Sequence, residues 1–380
     1  MTGVQTCALP IYLCARAATT GVIRDRDVSA AFGDVFRGAA DYAESRLRKA
    51  YDQKADPWYR LAAAYRLGLP LVDPLAAPEA PAIAPPHIDS PESTSPSSPS
   101  STAPAGSATE ATSASTVPGY PGSSAGASGG GKKAEPAPVS PDEYALSLAK
   151  FGLGKKLRSE LGTEFSSLAR DTVRSVAETL SAADRHDQAY RLIATLFWKA
   201  DFTPTRRDAE LYWPRPYRDQ FAAAVQATGL DEFLLYGLAR SESAFDPKAV
   251  SKSGAVGLTQ LMPATAAETA KRLRMEEFDL NDPADNLAIG SAYFARVMGN
   301  LDGRVLPAVF SYNGGPTRFR RWEAEYGALP LDLLLEALSY SETRQYGRNV
   351  ATAALSYAAL YGEGDLRTYF AWLIGEGPRP

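Results

Sequence analysis

Cysteine and histidine are almost missing from this chain of 380 residues, with two of each. Cys7, Cys14, His87 and His186 are too few and too scattered to build a zinc site, a disulfide framework or a Cys/His nucleophile pair. A basic excess is lacking too: 40 Lys plus Arg stand against 44 Asp plus Glu, a formal net charge of −4. That argues against a dedicated nucleic-acid binder, which carries a basic stripe. No apolar run reaches the length of about 18 residues that a membrane-spanning helix needs. Neither a metal nor an organic cofactor is implied.

What is present concentrates in residues 234–263. Asp231 can cap a helix that meets no breaker until Pro247. Leu235, Leu238, Ala239 and Glu242 fall at i, i+3, i+4 and i+7 and share one face. The last member of that apolar face is a carboxylate. Desolvation favours its neutral form, and a protonated carboxyl near neutral pH can act as a general acid. The plainer alternative is a surface glutamate, or one paired with Arg240. Beyond Pro247, Ser251, Ser253, Gly254 and Gly257 make a small-residue loop that lets backbone approach a ligand. Gln260 and Met262 stand before Pro263 at the mouth of the next helix, and suit an uncharged ligand with acetamido and hydroxyl groups.

This run, with Glu242-Ser243, Ala249-Val250-Ser251 and Gly254-Ala255-Val256-Gly257-Leu258-Thr259-Gln260-Leu261-Met262-Pro263, resembles the signature of the soluble lytic transglycosylases, which share a lysozyme-like fold. The resemblance implies that Glu242 is the sole catalytic acid/base. It also implies that Ser251, Gln260 and Met262 line the sugar subsites. Thr259 departs from the family's usual Met. The similarity extends over about Leu211 to Gly362. Tyr212-Trp213-Pro214-Arg215-Pro216-Tyr217 resembles the family's entry strap. Gly290 to Phe294 matches a Gly-x-x-Tyr-Leu motif with Phe for Leu, and there we expect Gly290 to let two helices approach while Tyr293 fills the gap. Ser311-Tyr312-Asn313-Gly314-Gly315 matches an Ala-Tyr-Asn-Ala-Gly pattern. Asn followed by glycines favours a left-handed turn, which would present Tyr312 and Asn313 to a groove, Tyr312 donating to substrate or to Glu242. Ser339 and Glu342 fit a capping box. The related Ser341-Glu342-Thr343-Arg344-Gln345-Tyr346 stretch implies that Glu342 and Tyr346 face the sugar, with Arg344 a structural partner.

Elsewhere the pattern is helical or structureless. Gly3 to Ile11 resembles a translated sequencing adapter, so residues 1–21 are set aside as an extraneous or disordered start, and the absence of a leader there carries no weight. Residues 22–73 read as a helical repeat fragment, with Ala31, Val35, Ala39, Tyr42 and Leu47 recurring and then Trp58, Leu61 and Tyr65. Residues 74–140, rich in Pro, Ser, Ala, Thr and Gly, read as a disordered linker. Such a chain spans on the order of 40–50 Å root-mean-square. Residues 141–208 again read as solenoid-like helices, the first running through Phe151 and Leu153. Residues 209–380 form the lysozyme-like unit. The expected class is all-α.

The resemblance implies peptidoglycan glycan strands as partner and substrate, a 1,6-anhydromuramic acid product, and a place in the periplasm or cell envelope. Two other readings stay open. A hydrolytic lysozyme would need a second carboxylate, for which Asp246 is nearest in sequence. An inactive peptidoglycan-binding module would need none.

Overall fold

The structure is a computed structural model that describes residues 8–52, 57–71, 139–197, 199, 202–338 and 340–380. Chain contacts divide the molecule into two units, residues 1–88 with 141–380 and residues 89–140. The second unit, apart from Val139 and Ser140, lies outside the described residues, as does the expected linker up to residue 138.

Among the described residues the first unit is all-α. Its helices are α1 Ala8–Thr19, α2 Asp25–Phe32, α3 Ala39–Asp52, α4 Pro57–Leu67, α5 Pro141–Lys150, α6 Leu157–Leu161, α7 Arg170–Ala182, α8 His186–Phe197, α9 Arg206–Tyr212, α10 Arg218–Thr228, α11 Glu232–Ser243, α12 Pro263–Leu273, α13 Pro283–Gly299, α14 Val305–Gly314, α15 Pro316–Tyr326, α16 Leu331–Ala337, α17 Ser341–Tyr361 and α18 Leu366–Leu373. No helix among the described residues is long and apolar enough to cross a membrane.

Local sequence explains most of the boundaries. The Asp231 side chain accepts from the Leu234 amide and starts α11, and Asp282 does the same for α13 with Pro283 in its first turn. Helix α11 stops at Ser243, before Pro247, because Ala244 and Phe245 both take positive φ. Prolines at 214 and 216 keep residues 213–217 out of helix.

Three expectations need correction. Residues 8–19, set aside as a disordered start, form a helix whose Tyr12 is fully buried. Its hydroxyl and the Arg16 guanidinium both donate to Asp332, buried in the first turn of α16. The run containing Ala31, Val35 and Ala39 is broken by a 3₁₀ turn at Gly33–Val35, which leaves Val35 exposed. Helix α5 ends at Lys150, so Phe151 and Leu153 lie beyond it and are exposed. Gly152, at φ +71, turns the chain there.

The core is organised by the crossing of α11 and α17, the most extensive helix contact among the described residues. Gly237 makes that crossing close: a Cβ there would lie 2.9 Å from the Val350 carbonyl oxygen and 3.0 Å from the Ala354 amide. Helix α14 packs on α17, and α13 lies against α10, α12 and α14. This places the end of α11, the start of α17, the end of α14 and the loop 249–262 around one region.

Candidate active site

Glu242 sits in the last turn of α11. The expected face is inward, with Leu235, Leu238 and Ala239 fully buried. Glu242 itself is half-buried, with protein surrounding its carboxyl. Arg240 does not pair with it. That guanidinium points the other way, over the rings of Tyr190, Tyr212 and Trp213 at 4.5, 4.7 and 5.9 Å.

The partner of Glu242 is Tyr346, whose hydroxyl donates to Oε1 at 2.5 Å. Burial pushes the carboxyl up to about 8, against the opposing pull of the Tyr346 hydrogen bond, which favours the ionised form. A carboxyl poised there holds its proton at neutral pH and can still release it. Burial and then the Glu242 charge hold the phenols of Tyr346 and Tyr312 well above their ordinary range, so both remain protonated donors.

Tyr312 departs from expectation. Helix α14 runs on through Gly314, so Tyr312 and Asn313 lie in its last turn rather than in a left-handed turn. The positive φ falls one step later, on Gly315 at +88°. The run 305–311, apolar but for Ser311, is wholly buried and carries the helix past the point where Asn-Gly-Gly would otherwise have ended it. The Tyr312 hydroxyl donates to the Thr259 carbonyl at 2.8 Å, not to Glu242, though the Glu242 charge acts on it. Its ring lies 5.3 Å from that of Tyr293. Asn313 is exposed, and its Oδ1 accepts from the Thr343 hydroxyl at 2.9 Å, tying the end of α14 to the start of α17.

The loop residues are held by their own backbone. Ser251 Oγ accepts from the Ala255 amide at 2.9 Å and lies 3.0 Å from Ser253 Oγ. Gln260, at φ +49, donates its side-chain amide to the Ala249 and Gly257 carbonyls at 3.0 and 2.9 Å. Its amide N–H groups are therefore spent on the loop, and Oε1 is the atom left for a ligand. Met262 is 43% exposed at the N-cap of α12. Glu342 is exposed in the first turn of α17. That helix is preceded by Tyr340, whose side chain makes no cap bond, and Ser339 of the expected capping box lies outside the described residues. Arg344 donates to the Leu338 carbonyl.

Asp246 faces away from this chemistry. Its carboxylate lies 3.6 Å from Lys155, and its charge acts on Asp187 of α8. Among the described residues no cluster of His, Cys, Asp and Glu could hold a metal ion.

Sequence reasoning passed over two buried residues here. Thr259 was noted as a departure, yet its carbonyl is the acceptor for Tyr312. Asn286 is fully buried in α13. The signal was there: Asn286, Gly290 and Tyr293 fall at i, i+4 and i+7 on one inward face. Gly290 admits Thr259 of the loop, not a second helix, since a Cβ at 290 would lie 2.2 Å from the Thr259 hydroxyl.

Residues 219–334 match the family model described as the transglycosylase SLT domain. The soluble lytic murein transglycosylase of Salmonella typhimurium is 33% identical over 154 residues, which is 39% of this chain and 23% of that protein. The putative soluble lytic murein transglycosylase of Haemophilus influenzae is 32% identical over 151 residues, 39% of this chain and 26% of that protein. Among solved structures, the 70-kDa soluble lytic transglycosylase of Escherichia coli aligns with 100% of this chain and 49% of its own at a TM-score of 0.63 and 21% identity. An inactive mutant of the lytic transglycosylase Slt of Pseudomonas aeruginosa aligns with 96% of this chain and 48% of its own at 0.58 and 21%. At such identities the structures establish the shared all-α fold. The chain spans about half the length of these solved relatives and about a quarter of the curated ones. The α10–α16 stretch that carries Glu242, residues 219–334, is thus similar to the transglycosylase SLT domain.

Proposed function

We propose that the chain is a lytic transglycosylase that cleaves the β-1,4 bond between N-acetylmuramic acid and N-acetylglucosamine in peptidoglycan, with Glu242 as its single acid and base. The observation that carries this reading is the state of that carboxyl: half-buried, pushed up to about 8 by burial, and bonded by Tyr346 rather than by a cation. The names of the curated relatives point to the same substrate.

In the first step the protonated Glu242 gives its proton to the glycosidic oxygen. The bond from that oxygen to the anomeric carbon breaks, and the departing sugar leaves with a hydroxyl. The substrate's N-acetyl oxygen shares the positive charge left behind. Tyr346 then donates to the Glu242 carboxylate and stabilises it. In the second step that carboxylate takes the proton of the muramic acid 6-hydroxyl, whose oxygen attacks the anomeric carbon. The 1,6-anhydro ring closes, Glu242 regains its proton and no water is consumed. Ser251, Gln260, Met262, Tyr312, Asn313 and Glu342 form the sugar-binding wall in this reading. Peptidoglycan as substrate places the work in the cell envelope, the periplasm in a cell with two membranes.

The test is the mass of the soluble products released from purified sacculi. Anhydro-muropeptides are expected, and Glu242→Gln should abolish them while sacculus binding persists. Products heavier by one water would instead indicate a hydrolase. Asp246→Asn is expected to leave rate and products unchanged, since Asp246 pairs with Lys155. Binding with no soluble product from the wild-type chain would leave only a binding module.

A further inference from the structure

Asn286 and Thr259 are both fully buried, and the carboxamide of Asn286 is saturated. Its Oδ1 accepts from the Thr259 amide at 2.9 Å and from the Thr259 hydroxyl at 2.7 Å. Its Nδ2 donates to the Val256 carbonyl at 3.1 Å and to the Leu280 carbonyl at 2.9 Å. One side chain on α13 thus clamps both ends of the turn that leads into the strained Gln260. The peptide group it orients carries the Thr259 carbonyl, the acceptor for the Tyr312 hydroxyl.

We propose that Asn286 is a positioning residue of the active site: by pinning Thr259 it keeps the Tyr312 hydroxyl on a backbone carbonyl and off Glu242, so that the acid has one phenol donor, Tyr346, and not two. The inference rests on Glu242 being the general acid. Its physical basis is the competition for one proton donor. The titratable groups facing Glu242 are Tyr346 of α17 and Tyr312 of α14, with Tyr293 of α13 behind Tyr312. Without the clamp the Thr259 peptide can rotate. Tyr312 then loses its acceptor, and Glu242, whose charge already acts on that hydroxyl, is the alternative. A second hydrogen bond to the carboxylate stabilises the ionised form. The acid would then surrender its proton at a lower pH and be less often loaded for the first step.

Thr259 adds the hydroxyl bond to the clamp. The space for it is specific, because Gly290 leaves room for that side chain where any Cβ would collide.

The test reads Glu242 directly, without substrate, by infrared titration of its carboxyl stretch, assigned by its loss in Glu242→Gln. In Asn286→Ala the midpoint is expected to fall by about one pH unit. Thr259→Val, which removes only the hydroxyl bond, should lower it less. Neither substitution should move it when Tyr312→Phe is also present. The alkaline limb of the pH–rate profile on sacculi should shift in parallel. An unmoved midpoint in a folded Asn286→Ala protein, or a shift that persists in the Tyr312→Phe background, overturns the proposal. Circular dichroism checks folding. If Asn286→Ala does not fold, the Thr259→Val pair with and without Tyr312→Phe decides, and no shift there also overturns it. Failure of the transglycosylase reading would appear separately, as wild-type protein that releases no anhydro product.

Discussion

The phenol of Tyr346 and the carboxyl of Glu242, 104 residues apart in sequence, meet at 2.5 Å where α17 crosses α11. The bond couples the acid to the helix that packs most extensively against its own. Hydrogen bonds to a charged group contribute about 1.5–3 kcal/mol. Tyr346→Phe is therefore expected to slow sacculus cleavage by about 10- to 100-fold, from loss of support for the carboxylate formed in the first step. The sign of the pH effect is opposite to that of Asn286→Ala. Removing a donor to the carboxylate raises Glu242 further above 8, so the alkaline limb of the profile should move up. A downward or absent shift would mean that Tyr346 does not act on the acid.

The raised Glu242 also makes stability depend on pH. In the unfolded chain this carboxyl titrates near 4.5, and in the fold at about 8. Between those values the native state holds a proton that the unfolded state has lost, so stability falls as pH rises through that window. Above about 8 both states are ionised and the loss is complete. Glu242→Gln has no such group. Its advantage over wild type should grow from near zero at pH 4.5 to at most about 5 kcal/mol at pH 8.5, about 1.4 kcal/mol for each pH unit between 4.5 and 8. Urea denaturation at several pH values measures this, and a difference that stays flat with pH would refute it.

Gly237 sets the distance between the two helices that carry the pair. Its missing Cβ would lie 2.9 Å from a backbone oxygen of α17, an atom that cannot swing aside as a side-chain tip can. Gly237→Val should cost about 1–3 kcal/mol by overpacking. Thermal unfolding reads this as a drop in Tm, and activity should fall in the protein that remains folded, because Tyr346 is pushed off Glu242.

A second buried charge holds the N-terminal helices. Asp332, 1% exposed, accepts from Tyr12 and Arg16 at 2.7 Å each and from Arg66 at 3.3 Å. Burial works to raise this carboxyl, but the two guanidiniums and the phenol hold it below its ordinary value. Removing it strands Arg16, which is itself buried. Asp332→Ala should destabilise the fold by about 3–5 kcal/mol. Calorimetry of Asp332→Ala beside Asp332→Asn checks the charge: an Asn variant as stable as wild type would mean that the ion pairs contribute little.

What could be read directly from residue order follows from periodicity and caps, which act within a few residues. The helix from Asp231 toward Pro247, the inward placement of Glu242 and the helix containing Gly290 and Tyr293 all came from such short-range signals. Where neighbours distant in sequence compete, residue order was less informative. Asn313 sits in a helix because the buried run ahead of it outweighs the turn preference of Asn-Gly-Gly. The helix at residues 8–19 is a helix on the fold by virtue of Asp332, some three hundred residues further on.

Sequence alone determined that the inward face of α11 ends in a glutamate, because helical spacing is a local fact. Only the tertiary structure decided which of two tyrosines serves it. On paper the donor was Tyr312, and Tyr346 was expected to face the sugar. The choice depends on the close approach of α17 at Gly237, which brings Tyr346 to the carboxyl, and on the Thr259 carbonyl, which accepts the hydrogen bond of Tyr312. Both are distances between segments that the chain order leaves free, and packing sets them.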